Sequence, residues 1–384
     1  MGRPGTDDEG HTGTPALCFN LENSETEPMW PDRRLIDLLG IEHPIIQAPM
    51  AGPSTPELAA AVANAGGLGS LAFAMSTPEQ MRADLARVRS ATNKGFNVNF
   101  FCHRPPAPDA AAEARWRTRL APYAAELGLD PNAAAAAANR TPFDAAACDL
   151  MVEHAPRVVS FHFGLPEAAL LTRVKRAGCI VLSSATTVAE ARWLEANGAD
   201  VIIAQGFEAG GHRGMFLTDN LAAQVGTMAL VPQVVDAVKV PVIAAGGIGD
   251  ARGIVAALAL GAAGAQLGTA FLFTPEAKVS NLHRDALAGG QDDQTSLTNV
   301  FTGRPARGLI NRVMREVGPI SPEAPQFPLA AGAMGPLRAA AEARGSGDFT
   351  PLWSGQAMML GRKLGAGELT LKLAEEALAR LGKR

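Results

Sequence analysis

The chain has 384 residues, of which 47% are hydrophobic and 19% charged, and it carries a net charge of -4 at pH 7. That is enough apolar material for one large core, or for a core with a smaller appended unit, and the mildly acidic balance gives no footprint for nucleic acid or an anionic membrane surface. Cys18, Cys102, Cys148 and Cys179 are scattered with no C-x-x-C pair, so neither a disulfide framework nor a cysteine-based zinc site is indicated.

In chain order, residues 1–30 are polar, with Gly, Pro, Thr, Asp and Glu, and lack the apolar centre of a signal peptide. They read as a disordered leader, and the chain as cytoplasmic. No apolar run reaches transmembrane length. From Pro44 onward, short apolar runs alternate with helix-like segments. Strands are predicted at residues 44–50, 68–73, 96–101, 158–163, 180–183, 201–204, 242–245 and 264–267. Runs this continuous suit parallel strands buried on both faces. Helices are predicted between them, for example over 55–65, 166–177 and 187–197, the last opening on the capping-box spacing Thr187-Val188-Ala189-Glu190. Eight alternations point to an α/β fold, a (β/α)8 TIM barrel over residues 31–274. An open doubly wound sheet is the alternative.

Two segments exceed a bare barrel. Residues 104–148 are rich in Ala and Pro, with Trp116, Leu120 and Tyr123 at helical spacing, and read as a helical insertion after the third strand. Residues 275–354 follow the eighth strand, carry several Pro and Gly, and read as a cap or substrate domain over the barrel mouth. A C-terminal helical segment, 355–384, then packs on the barrel, its helix expected over 367–381. Extensions at the C-terminal face of a barrel are where binding sits.

Chemistry concentrates in a few motifs. Ala204-Gln205-Gly206-Phe207-Glu208-Ala209-Gly210-Gly211-His212-Arg213-Gly214 takes a buried strand into a glycine-rich loop that delivers His212. Glycines let the backbone turn sharply beside a flat ligand, and a histidine exchanges protons near neutral pH. Gly246 and Gly247 close the seventh strand and open a helix, while Gln266-Leu267-Gly268-Thr269 closes the eighth. Backbone amides after strands seven and eight form a phosphate site in many barrels; tight turns alone would use the same glycines. Gly67-Leu68-Gly69-Ser70-Leu71-Ala72 matches a dinucleotide fingerprint but has a helix before it and a strand after, the reverse of what that fingerprint needs. Gly66 and Gly67 read instead as a helix C-cap. Asn99 and Gln205 are amides at the ends of apolar strands, suited to a flavin pyrimidine edge or to neighbouring strand ends. His103 and His162 fall near the same face, as pocket lining or as hydrogen-bonded structural groups, and a metal site shared by the three histidines is a further option. Cys102 reads as a small buried residue.

Taken together, the residues resemble the FMN-dependent nitronate monooxygenases, formerly 2-nitropropane dioxygenases. The likeness spans residues 44–356. It rests on seven motifs in the family's order: Gln47-Ala48-Pro49-Met50-Ala51-Gly52, Asn97-Val98-Asn99-Phe100-Phe101, Gln205 to His212, Ala245-Gly246-Gly247-Ile248, Gln266-Leu267-Gly268-Thr269, Gly303-Arg304-Pro305-Ala306-Arg307-Gly308 and Trp353-Ser354-Gly355-Gln356. The resemblance implies a barrel with a smaller substrate domain and FMN without a metal. Asn99, Gln205, Gly210, Gly247 and the run Gln266, Leu267, Gly268, Thr269 fall on flavin-contacting positions, with Ala48, Pro49, Met50 and Gly246 completing the cofactor set. His212 falls on the catalytic histidine.

The activity so implied is oxidation of an alkyl nitronate by O2 to a carbonyl compound and nitrite through a flavin semiquinone, with His212 orienting the anion or removing the α-proton of a neutral nitroalkane. NADH:quinone reductase and FMN-dependent enoyl-acyl-carrier-protein reductase are the alternatives on the same fold, and a flavin-binding module without turnover is the non-enzymatic one.

Overall fold

The structure is a computed structural model, and it describes residues 1–2, 29–130 and 140–382. The expected leader therefore lies almost wholly outside the described residues. The strands in chain order are β1 (Ile45–Gln47), β2 (Ser70–Ala72), β3 (Asn97–Phe101), β4 (Val158–His162), β5 (Ile180–Ala185), β6 (Val201–Gln205), β7 (Gly211–His212), β8 (Val242–Ala245), β9 (Gly264–Leu267), β10 (Thr295–Thr298) and β11 (Ala306–Leu309). Eight of them form one parallel sheet in the order β1-β9-β8-β6-β5-β4-β3-β2. The edges meet: Leu68 N–H donates to Ile45 O at 2.9 Å and Gln47 N–H to Leu68 O at 3.0 Å. Closure through Leu68 excludes the open doubly wound alternative and makes the fold a TIM barrel.

The strands are Val- and Ile-rich and buried along their length because each is covered inside by barrel side chains and outside by helices. Local chemistry sets the helix ends. Thr55 caps the helix Pro56–Asn64 by accepting from Leu58 N–H, with Pro56 at the first position. That helix ends on Gly66 at φ 81°, where Gly67 N–H returns to Val62 O, and β2 follows. The dinucleotide reading of this stretch fails on that order, as its context indicated.

One capping expectation is corrected. Thr187 accepts from Glu190 N–H, but the Glu190 carboxylate does not reciprocate. It is fully buried and accepts instead from Thr186 N–H and Oγ1 and from the N–H groups of Phe216 and Leu217. A buried carboxylate needs several donors, and these outcompete the cap. The reciprocal box forms elsewhere, between Thr77 and Gln80.

The two excess segments pack on each other. Helix Ala110–Glu126 lies against helix Ala330–Ala343, and Trp116, Leu120, Tyr123, Met334, Leu337 and Phe349 share a second core. Trp116 Nε1–H donates to Ala330 O at 3.2 Å. Helix Ala145–His154 instead returns Cys148, Leu150 and Met151 to the core around β3 and β4. A small antiparallel sheet, β10-β11-β7, joins the chain after β9 to the glycine loop, pairing Ala306 with His212 and Arg307 with Gly211. The C-terminal helix Ala366–Leu381 packs on helices Pro56–Asn64 and Ala251–Ala259 through Leu369, Leu373 and Ala377. Among the described residues no helix is long and apolar enough to cross a membrane.

Candidate active site

β6 delivers Gln205 to the barrel mouth, and the hydrogen bonds around it fix where His212 stands. Gln205 Nε2–H donates to the His212 carbonyl at 2.9 Å, and Gln205 Oε1 accepts from Gly214 N–H at 2.7 Å. His162 Nε2 lies 3.1 Å from the same His212 carbonyl and its Nδ1 2.8 Å from Ser184 Oγ. A carbonyl accepts only, so Nε2 of His162 carries the proton and Nδ1 accepts from the Ser184 hydroxyl. Arg213, fully buried, donates to Gly206 O, Gln205 O and Gln224 Oε1 and so ties down the far side of the loop. Gly210 must be glycine for a backbone reason: a Cβ there would sit 2.5 Å from Gly355 N.

The His212 ring therefore projects from a strand of the small sheet rather than from a free loop. Its Nε2 is 3.0 Å from Thr302 Oγ1, whose hydroxyl reaches Arg304 O at 3.3 Å. With the threonine proton given to that carbonyl, Nε2 of His212 is the donor and Nδ1 keeps its lone pair. Around the ring stand Phe327, Trp353, Phe101 and Phe163 with centroids 5.4, 5.6, 5.9 and 6.1 Å away. Phe163 holds its place with φ 71°, a left-handed conformation uncommon for an aromatic residue. Burial, then the charges of Arg140 and Arg304 with neighbouring His162 and His103, push the His212 pKa well below the usual histidine range. No carboxylate contributes. The ring is neutral at neutral pH, which is the state a base needs.

The cofactor residues expected from the sequence come from three adjacent strands. β8 pairs with β9 (Ala245 beside Gln266) and β9 with β1 (Leu267 beside Gln47). Gly246 and Gly247, at φ 112° and 69°, therefore lie beside Gly268 and Thr269, with Ala48, Pro49 and Met50 next in line. A Cβ on Gly268 would meet Ala48 Cβ at 3.5 Å. Helix Ala251–Ala259 begins beyond the glycines, and Asp250 caps its first turn by accepting from Arg252 N–H. Thr269 Oγ1 accepts from Gly355 N–H, and Gln356 N–H donates to Glu208 O, which stitches the Trp353–Gln356 motif to both loops.

Asn99 is buried and donates to Ser160 O and Oγ on the next strand. Gln205 is engaged at both ends of its amide by the His212 loop that follows its own strand. Gln266 differs. Its Oε1 is buried with no hydrogen-bond partner among the described residues, an acceptor that an N–H of a flavin pyrimidine edge would satisfy. His103, expected near the pocket, is buried edge-on to Phe327 at 4.8 Å, and burial pushes it to about 4. His162 is pushed to about 3 mainly by burial and holds the His212 backbone. Among the described residues no His, Cys, Asp or Glu group is arranged to hold a metal. Burial raises the Cys102 thiol far above its ordinary range, in keeping with an unreactive side chain.

Sequence reasoning did not single out Thr302, Phe327, Arg140 or Arg304. The last sits inside a quoted motif, Gly303-Arg304-Pro305; Arg140 had only its charge to signal it, after an alanine tract.

The nitronate monooxygenase family model matches residues 32–376. The chain belongs to the nitronate monooxygenase family. It is 46% identical over 345 residues to a nitronate monooxygenase of Pseudomonas aeruginosa, covering 89% of this chain and 98% of that one. Among solved structures, a nitroalkane oxidase from Streptomyces ansochromogenes superposes with a TM-score of 0.82 at 41% identity, covering 91% of this chain and 99% of that chain. FabK from Thermotoga maritima superposes at 0.70 with 28% identity, covering 92% and 98%. The protein is accordingly an oxidoreductase of a flavin-dependent family.

Proposed function

We propose that this protein oxidises alkyl nitronates with O2, yielding a carbonyl compound and nitrite, and that its flavin is FMN. The observation that carries the reading is His212: a neutral imidazole with Nδ1 free of protein partners among the described residues, in an aromatic pocket flanked by cations and no carboxylate. FMN would be held by Gly246, Gly247, Gly268 and Thr269 at its phosphate and by Gln266 at its pyrimidine edge. When bound it supplies the redox capacity that no side chain here has.

The protein's own work is positional and protonic. The barrel, residues 31–274, holds the cofactor, and the chain after β9 supplies Thr302, Arg304 and Phe327 as the roof of the pocket, with Phe327 packed on Phe101 and Phe163. Phe101, Phe163, Phe327 and Trp353 exclude water from the reacting carbon. For a neutral nitroalkane, Nδ1 of His212 takes the α-proton while Thr302 keeps Nε2 protonated. The imidazolium so formed sits beside the nitronate it has made. For a preformed nitronate the same ring orients the anion.

The test is oxygen uptake by the purified protein with alkyl nitronates, set against NADH with a quinone and NADH with an enoyl thioester. Extracted cofactor is identified by mass. Uptake with nitronates, nitrite release and an FMN mass support the reading. Fast NADH oxidation without nitronate turnover would move the protein to the quinone or enoyl reductase reading, and an FAD mass would overturn the single-phosphate site.

A further inference from the structure

Four guanidinium groups lie in or near the pocket, and they are not equivalent. Arg213 places its donors on Gly206 O, Gln205 O and Gln224 Oε1, and Arg307 places its own on Phe207 O and Thr295 Oγ1. Both are structural. Arg304 stacks on Phe163, its central carbon 4.0 Å from the ring centroid, and donates to Met215 O, yet its Nε is buried without a partner among the described residues. Arg140 lies over Phe327 at 5.4 Å, reaches only the Met75 sulfur with Nη2 at 4.0 Å, and leaves Nη1 buried without a partner. Neither arginine makes an ion pair among the described residues. Asp219 and Glu190 act on Arg304 only at a distance and no carboxylate among the described residues acts on Arg140, and a buried cation without a paired anion is costly unless one arrives to meet it.

The rings these two arginines cover are the ones around His212. Phe163 and Phe327 stand 5.7 Å apart and each faces the imidazole. The stacking fixes the plane of Arg304 over Phe163 and sets Arg140 over Phe327, the two rings that pack against His212. Their charges act on His212 itself, since both lower its proton affinity.

Resting on the proposed function, we propose that Arg140 and Arg304 form a clamp for the planar, two-oxygen anionic head of the substrate, so that Arg140 determines the preference for nitronate over neutral nitroalkane. The nitronate spreads one negative charge over two oxygens, and each oxygen accepts in the plane where guanidinium N–H groups donate well. A neutral nitro group presents the same oxygens with far less charge and gains less from the same donors. Where His212 generates the nitronate in place, the clamp receives the charge as it forms. Arg140 comes from the insertion and Arg304 from the chain after β9.

The experiment compares the wild type with Arg140→Met, Arg304→Met and Arg140→Lys, each checked for flavin content and melting temperature. In Arg140→Met the ratio of kcat/KM on a nitronate to that on its parent nitroalkane falls by about 10-fold or more, chiefly through KM, the usual scale for one charge-assisted hydrogen bond. Arg140→Lys restores part of that ratio. Inorganic nitrate, a planar monoanion, binds the resting wild-type protein competitively with nitronate, and the Met variant weakens it by about 10-fold or more. An unchanged ratio in a flavin-replete variant, or nitrate binding indifferent to Arg140, overturns the clamp. Should Arg140→Met fail to fold, Arg140→Lys carries the same comparison. Failure of the wild type to turn over any nitronate removes the functional reading, and direct titration of nitrate against the wild type and Arg140→Met, read by the flavin spectrum, then decides the clamp.

Discussion

The β8–β9–β1 side of the barrel mouth and the roof over His212 recognise ligands by different means. The first offers glycine turns, Gly246-Gly247 and Gly268, beside the unpartnered Gln266 acceptor. The second offers side chains only: His212, Thr302, Arg140, Arg304 and four aromatic rings, drawn from β3, β4, the insertion and the chain after β9. On the proposed function, a backbone cradle would hold the same phosphate whatever the substrate, while a roof assembled from distant segments can change one residue at a time. On the same reading, the cofactor half of the pocket is built into the barrel and the substrate half depends on the chain after β9 and the insertion.

The sharpest way to break that division is to loosen the second core. Trp116 is fully buried where helix Ala110–Glu126 meets helix Ala330–Ala343. Trp116→Ala is expected to cost about 3–5 kcal/mol of stability, the range for deleting a large buried aromatic. Nitronate KM should rise while flavin stays bound, as read by the flavin absorbance after gel filtration. Loss of flavin in step with KM would show that the two halves are not independent.

The next effect is of pH on stability. His103 and His283 are both buried, with burial the first cause of their pKa values falling to about 4. The unfolded chain binds their protons near pH 6.5 and the folded chain does not, so stability rises with pH across that window. The contribution is complete above about pH 6.5 and is lost as pH falls toward 4, at up to about 1.4 kcal/mol per pH unit for each histidine. Thermal melts at pH 7, 6 and 5 measure it. Replacing His283, whose Nε2–H donates to Trp353 O 3.0 Å away, should flatten the slope.

A smaller effect sharpens the roof itself. Thr302→Val removes the acceptor for His212 Nε2–H and should lower activity on neutral nitroalkanes by about 5-fold, near 1 kcal/mol for one neutral hydrogen bond. Thr302→Ser should restore it, which a packing role for the methyl group would not allow.

The same division governs what was legible in the sequence. Strand runs such as Val242–Ala245 and Gly264–Leu267 fall at their observed bounds because a strand buried on both faces is written as an unbroken apolar run. The glycine turns after β8 and β9 and the Gly-Gly-His loop are equally local and equally readable. What was not readable is long-range. Nothing near His212 announces that Thr302 lies 3.0 Å from its Nε2, ninety residues on, or that the insertion and the chain after β9 share one core. Gln205 shows a subtler failure. A polar residue closing an apolar strand signals that its amide needs partners, but only the fold reveals that both are in the His212 loop. Arg140 gave no signal beyond charge, since a lone arginine is usually a solvated one.

The central claim is that His212 acts as a neutral base in a preformed pocket. His212→Asn tests it most directly, assayed in parallel on a neutral nitroalkane and on its preformed nitronate. The account predicts that flavin content and melting temperature stay near wild type, that nitroalkane turnover falls by about 10²-fold or more, and that nitronate turnover falls much less. Equal losses on both substrates, or a variant that unfolds or releases its flavin, would contradict it.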